Sequence, residues 1–286
     1  MIKWLSRFAL SFVVVLLVTP ASAQGLNFGS GDSDAPIEVY ADDGIEWQQD
    51  ALTFVARGHA RAVRGEVTVY GDELHAFYRK LPDGGTEIWR LDAINNVRIV
   101  TPGETASGDK GVYDVDNGIL VLTGRKVSLV TPTDEVIANE QLEYWERKQM
   151  AVARGNAQVF SDGKNLKADV IVAYMKKDGS GKSSIRRVEA FDNVQVVTKS
   201  EKATSERGVY IVKSGIATLT GSVMIVRDAN QLKGCKAEVN MNSGISKMFS
   251  LQGRVAARSA GCSTLVAKKR KGIKLFFYQR RSKLND

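Results

Sequence analysis

Proline is scarce in this chain, five residues in 286, and cysteine and histidine are scarcer still, two of each. Because proline cannot donate to a β-ladder, its scarcity permits long hydrogen-bonded strands. Only His59 and His75 could join Cys235 and Cys262 around a metal, and neither histidine has ligand spacing to the other or to a cysteine, so no metal site is expected. A sustained helical stripe is missing after the first two dozen residues, which leaves an all-β chain. The longest apolar run, Phe8 to Val18, is eleven residues, well short of the roughly 20 that span a bilayer. The body also lacks net charge. Of the formal +8, two charges precede the apolar run, and residues 267–286 hold eight basic side chains against the single acid Asp286, so 24–266 is left near −1. A neutral body argues against a nucleic-acid-binding domain. Paired catalytic groups are missing too: Asp42-Asp43 and Asp92 sit at turns or strand ends with no acid/base partner, so neither an enzyme nor a cofactor is expected.

What the chain does have is a copy of itself. Shifted by 97 residues, positions 106–125 fall on 203–222 with ten identities in twenty, among them Gly111/Gly208, Tyr113/Tyr210, Gly118/Gly215 and Gly124/Gly221. The same offset pairs 91–101 with 188–198, 51–60 with 148–157, and 41–47 with 138–144. A repeat of strand signals means units that stack, each burying its apolar face against the next. Such arrays present long surfaces or grooves. Short runs with period-two alternation recur throughout, as in Ile37-Glu38-Val39-Tyr40 and Glu66-Val67-Thr68-Val69-Tyr70, separated by turn signals such as Pro82-Asp83-Gly84-Gly85 and Lys213-Ser214-Gly215. Asn117-Gly118, flanked by Val112–Val115 and Ile119–Leu122, is the strongest hairpin signal. Within each unit a strand closes in a glycine and a further valine-rich strand follows, as at Ala56-Arg57-Gly58-His59-Ala60 and Ala153-Arg154-Gly155-Asn156-Ala157.

The N-terminus reads as a secretory signal peptide: Lys3 and Arg7, the apolar run, then Pro20 and Ala21-Ser22-Ala23, with cleavage before Gln24. Export places Cys235 and Cys262 in an oxidising compartment, where they form either one disulfide or two unpaired thiols. The basic tail reads either as a solvated solubility tail or, because of Ile273, Leu275, Phe276, Phe277 and Tyr278, as a last strand or a contact with an anionic surface.

Three stretches carry a family resemblance: Pro36-Ile37-Glu38-Val39-Tyr40-Ala41-Asp42 followed by 52–60; Tyr210 to Gly221; and Leu232 to Ala237 followed by Lys247 to Val255. Their order and spacing over about 35–260 resemble the OstA/LptA family of periplasmic lipopolysaccharide carriers. The duplication, the cysteines and the tail lie outside that family's pattern. The resemblance implies an elongated antiparallel two-sheet open jelly roll built from two repeats of about 97 residues. The organisation expected is a signal peptide (1–23), a flexible segment (24–35), a first repeat (36–133), a second repeat with C-terminal strands (134–260) and the tail (261–286). It implies a groove for the lipid A part of lipopolysaccharide, lined by Ile37, Val39, Phe54, Tyr113, Val115, Leu122, Tyr210, Val212 and Leu219. It also implies edge-strand junctions at Ile37, Val39 and Ala41 and at Met248, Leu251 and Val255. The partners implied are an LptC-like inner-membrane protein, an LptD-like outer-membrane protein and further copies of the chain. At four layers per unit, the duplication is expected to lengthen the groove by roughly 20 Å. The rival readings are an LptC-like anchored component, which would keep its N-terminus, and a structural β-solenoid without lipid.

Overall fold

In the computed structural model the described residues are 37–179, 183–249 and the backbone of 266–268. The signal peptide, Leu251, Val255, Cys262 and the tail after 268 lie outside them. The first repeat contains β1 (Glu38–Tyr40), β2 (Ile45–Gln48), β3 (Thr53–Arg64), β4 (Val67–Lys80), β5 (Thr86–Val100), β6 (Thr105–Asp114), β7 (Ile119–Thr123) and β8 (Val127–Val130). There follow β9 (Asp134–Ala138), β10 (Gln141–Trp145), β11 (Met150–Ser161), β12 (Lys164–Lys177), β13 (Ser183–Val197), β14 (Lys202–Ile211) and β15 (Ile216–Arg227). The last three are β16 (Asn230–Asn240), β17 (Ile245–Phe249) and β18 (Val266–Lys268). All pairings are antiparallel in one hydrogen-bonded network, and no helix occurs among the described residues. The fold is therefore all-β, of the open jelly-roll kind. The 97-residue offset extends to element bounds: β3, β4, β5 and β6 reappear with identical lengths as β11, β12, β13 and β14.

One network makes two walls because the long strands bend. In β3 the register slips between Arg57 and Ala60, where Gly58 (φ +78) and His59 (φ +43) are both left-handed. The same slip falls at Asn95-Asn96 in β5, Gly155-Asn156 in β11, Asp192-Asn193 in β13 and Gly221-Ser222 in β15. Two successive positive-φ residues turn a strand sharply, and glycine, asparagine and aspartate tolerate them best. The glycines that read as strand ends are bends inside continuous strands. At Gly155 a β-carbon would meet the Glu140 side chain at 2.5 Å, so sterics reinforce the choice of glycine.

On one side of the bend lies wall A. Its order is β1, then the second half of β3, the first of β4, the second of β5, the first of β6, β8, β9, and onward through the halves of β11 to β16, ending on β18. Wall B runs in parallel order from β2 through the other halves, with β7 and β10 where wall A has β8 and β9, to β17. Each repeat thus adds six rungs to each wall, about 29 Å at ~4.8 Å per rung. That exceeds the expected 20 Å because every bent strand serves both walls.

Side-chain size follows the distance from the bend. Next to it the walls converge, and small residues fill the space: Ala60, Ala157 and Ala168 are buried, as are Val97, Val127 and Val194. Farther out, on the inner face of wall B, Tyr113, Leu120 and Tyr144 occupy consecutive rungs. The outer face of wall B is held differently. Along one cross-strand row, Glu46, Asp92, Glu143, Glu189 and Glu238 recur at every third rung, separated by pairs such as Val112/Val121 and Val152/Val172. Flanking cations cover each acid: Arg57, Arg90, Arg154, Arg187 with Arg207, and Lys236. Asp92, Glu143 and Glu189 are buried beneath them.

Candidate functional site

At the N-terminal end the walls enclose an apolar cavity of about 330 Å³, within the range of small-ligand sites. Ile37 and Val39 at the start of wall A, Phe54, Leu91 and Tyr113 on wall B, and Ile88 of β5 are among its lining residues. The alternation that buries Ala93 and Ala106 farther in leaves these positions without a neighbour to cover them, because β1 and β2 are the first rungs. Ile37, Val39, Ile45 and Trp47 are consequently all exposed by more than a third. Phe54 of the lining belongs to an aromatic group: Trp47 stacks on it at 5.7 Å, it meets Tyr78 at 5.1 Å, and Trp47 Nε1 donates to the Tyr78 hydroxyl at 2.8 Å. A depression of about 830 Å³ lies beside the cavity, lined partly by Asp42, His59 and Arg61. Those charged groups make it a poor seat for an apolar chain.

The cavity ends where the core closes. Ile99 and Leu120 line its inner end and belong to a buried cluster that continues through Leu122, Val127, Tyr144 and Ile171. A second cluster, around Leu219, Val223, Ile225 and Ala237, fills the C-terminal part. Of the nine groove residues expected from sequence, the structure brings Ile37, Val39, Phe54 and Tyr113 together in one cavity. Leu122 and Leu219 are closed core at 1% and 2% exposure. Tyr210 packs against the second cluster. Val115 and Val212 follow the ends of β6 and β14, each donating its backbone N–H to the strand beside it, and Val212 faces solvent. Reading by alternation extended one residue past each strand. The reading missed Ile88, Leu91, Ile99 and Leu120; period-two alternation was the available signal for the last three, whereas Ile88 is put out of that phase by a register shift in β5.

Polar groups gather where the walls part at their outer margin, the rim. Tyr113 Oη donates to Glu146 at 3.2 Å. Burial, with the neighbouring Glu146 carboxylate, holds the Tyr113 hydroxyl well above the usual tyrosine range. Burial likewise pushes Tyr144 up to about 12, helped by the charges of Glu146 and Glu104 and opposed by Gln149. Glu104, in the β5–β6 turn, is raised to about 7 by burial alone. On the outer face, burial pushes Glu143 up, but hydrogen bonds from Arg154, Trp145 and Gln141 outweigh it and leave the carboxyl below its ordinary value.

At the edges, β1 and β2 each pair only with β3, so one side of both strands is unpaired among the described residues. At the other end, wall B finishes on β17 and wall A on β18. Ala41 lies just beyond β1 and Met248 points into the second cluster, while Leu251 and Val255 fall outside the described residues. Cys235 is buried and disulfide-bonded; Cys262 lies outside the described residues. No group of three or more potential metal ligands occurs among the described residues.

Residues 135–245 match the family model described as LptA/(LptD N-terminal domain) LPS transport protein. An uncharacterized protein of Rhizobium meliloti (strain 1021) is 26% identical over 158 residues, covering 53% of this chain and 82% of that protein. A structural comparison pairs 84% of this chain with 98% of LptH, the LptA-homologous periplasmic component of the lipopolysaccharide transport device of Pseudomonas aeruginosa, at 12% identity and a TM-score of 0.23.

Proposed function

We propose that this OstA/LptA-like chain, whose match lies over 135–245, is a periplasmic bridge component that carries lipopolysaccharide from the inner to the outer membrane. The observation that carries the reading is the apolar cavity at the N-terminal end, open between two unpaired edge strands. Moving a lipid through water exposes its methylenes at about 0.8 kcal/mol each, so ten exposed carbons cost roughly 8 kcal/mol. An apolar slot between two walls removes that cost while the sugar and phosphate head stays in solvent at the rim. Unpaired edges accept further strands, which supplies a way to extend the slot from one protein to the next. In this reading β1 and β2 face an LptC-like partner, the β17 end faces an LptD-like one, and copies of the chain join head to tail. The protein acts by binding and releasing, not by catalysis.

Site-specific photo-crosslinking in the periplasm tests it. A crosslinker at Phe54 or Tyr113 is expected to give a lipopolysaccharide adduct, with Tyr210 of the second repeat labelled only when lipid passes beyond the cavity. Absence of an adduct at all three positions would sink the carrier reading.

A further inference from the structure

The repeat places Glu201, in the β13–β14 turn, 97 residues after Glu104. The two turns are built alike. Thr101 N–H donates to Glu104 O at 2.9 Å, as Thr198 N–H does to Glu201 O, and each threonine hydroxyl accepts the glutamate's N–H at 3.2 Å. From this shared frame the carboxylates meet different surroundings. Glu201 accepts from Arg227 Nη2 at 2.6 Å and from Ser246 Oγ at 3.3 Å, and the same Arg227 nitrogen donates to Gly244 O at 2.8 Å. Arg227 ends the wall A half of β15, whereas Gly244 and Ser246 belong to the last hairpin of wall B, so the guanidinium ties the walls across the rim.

In the first repeat both partners are lost. By strand register Val130 stands where Val226 does and Thr131 where Arg227 does, and the Thr131 hydroxyl is engaged in its own turn with Asp134. By the same register Ala151 stands where Ser246 does and offers no hydroxyl, and the nearby Gln149 is engaged elsewhere, donating to Glu146 O and accepting from Ser183 Oγ. Glu104 is nonetheless 7% exposed, and its carboxylate has no ion pair or hydrogen bond among the described residues. Its neighbour across the rim is Tyr144, whose hydroxyl feels the Glu104 charge. Tyr144 sits one rung beyond Leu120, at the cavity's inner end.

We infer that Glu104 is the vacant counterpart of the Glu201–Arg227 pair and binds an ammonium or guanidinium group carried on the headgroup of the transported lipid. The second repeat shows what this frame accepts: a nitrogen cation, with a hydroxyl donor beside it. A buried carboxylate without such a partner is costly, so a ligand that brings one gains a charge-assisted hydrogen bond that a neutral headgroup cannot make. This inference rests on the lipid-carrier reading.

Calorimetric titration of the full-length protein at pH 8 with dodecylammonium, dodecanol and ethylammonium tests it. Dodecylammonium is expected to bind about tenfold more tightly than dodecanol. Glu104→Gln should bring that ratio to near one, and Glu201→Gln should leave it intact. Weak or absent ethylammonium binding assigns the cation to a lipid headgroup; Glu104-dependent ethylammonium binding as tight as that of dodecylammonium overturns the headgroup assignment in favour of a free amine. Equal binding of dodecylammonium and dodecanol to the unsubstituted protein overturns the Glu104 site but leaves the carrier reading standing. Failure of both to bind overturns the carrier reading itself.

Discussion

Glu104→Gln should change stability little at pH 4 and raise it clearly at pH 8. Burial lifts the Glu104 carboxyl from its ordinary 4.5 to about 7 in the fold. A carboxyl whose folded value lies above its unfolded value is held protonated by folding, so its favourable contribution is complete below about 4.5 and is lost as pH rises to about 7. Two and a half units at 1.36 kcal/mol each amount to about 3 kcal/mol of stability lost across that window. Glutamine keeps the shape and hydrogen-bonding capacity of the protonated acid but never ionises. Urea unfolding of both proteins at half-unit steps from pH 4 to 8.5 isolates the effect, because every other titrating group cancels in the difference between them. The difference should be near zero at pH 4, grow between about pH 4.5 and 7, and level off at ~3 kcal/mol in favour of the variant. A difference that stays flat from pH 5 to 8 would show that Glu104 is hydrated or paired in solution, and would refute the reasoning.

Leu122→Ala, in closed core at 1% exposure, should cost about 2–5 kcal/mol, whereas Ile88→Ala, beside the existing cavity, should cost under about 1.5 while weakening binding of an acyl chain; chemical denaturation and lipid titration measure the two effects. Glu143→Gln leaves Arg154 without its carboxylate and should destabilise by about 1–3 kcal/mol at pH 7. Because the folded Glu143 carboxyl lies below its ordinary value, that deficit should narrow as pH falls below about 4.5, which acid titration by circular dichroism follows. Gly155→Ala should cost at least about 1 kcal/mol, since φ is +87 and the new methyl group meets Glu140, and Gly103→Ala, in open space, should be near neutral in the same thermal melts.

Much of the architecture was legible because strand alternation and turn residues are local signals, and because the duplication displayed each of them twice. The hairpin at Asn117-Gly118 lies where the sequence puts it, with Gly118 at φ +63. The bends were only half legible. Arg57-Gly58-His59 announces a positive-φ residue, but a strand that turns through two such residues and one that stops look the same in sequence until a partner strand is seen to follow it. The groove was less legible than the walls. Leu122 and Phe54 both point inward, yet one is sealed and the other lines an opening, because the difference is the number of rungs beyond each of them and not the residue itself.

Equivalence between the repeats also has a limit that bears on mechanism. Inward positions kept their apolar character through the duplication: Ala93, Gly111 and Tyr113 of the first repeat correspond to Ala190, Gly208 and Tyr210 of the second. Divergence falls at the mouth and at the rim. Phe54 and Tyr78 correspond to Ala151 and Met175, and Thr131 corresponds to Arg227. The first repeat is therefore the aromatic, unlatched half with its inner face open at the end, and the second is the half tied across the rim by Arg227 and packed shut. For a chain that passes lipid along its length, this asymmetry assigns loading to the first repeat and makes opening of the second the step that needs work. Breaking the latch isolates that step. Arg227→Ala should leave binding at the first-repeat cavity unchanged and increase crosslinking of lipid at Tyr210, because the wall separation that lipid needs there would no longer require removing a guanidinium from its carboxylate. Unchanged labelling at Tyr210 in Arg227→Ala would mean that the packed core around Leu219 and Ile225, not the rim, sets the resistance.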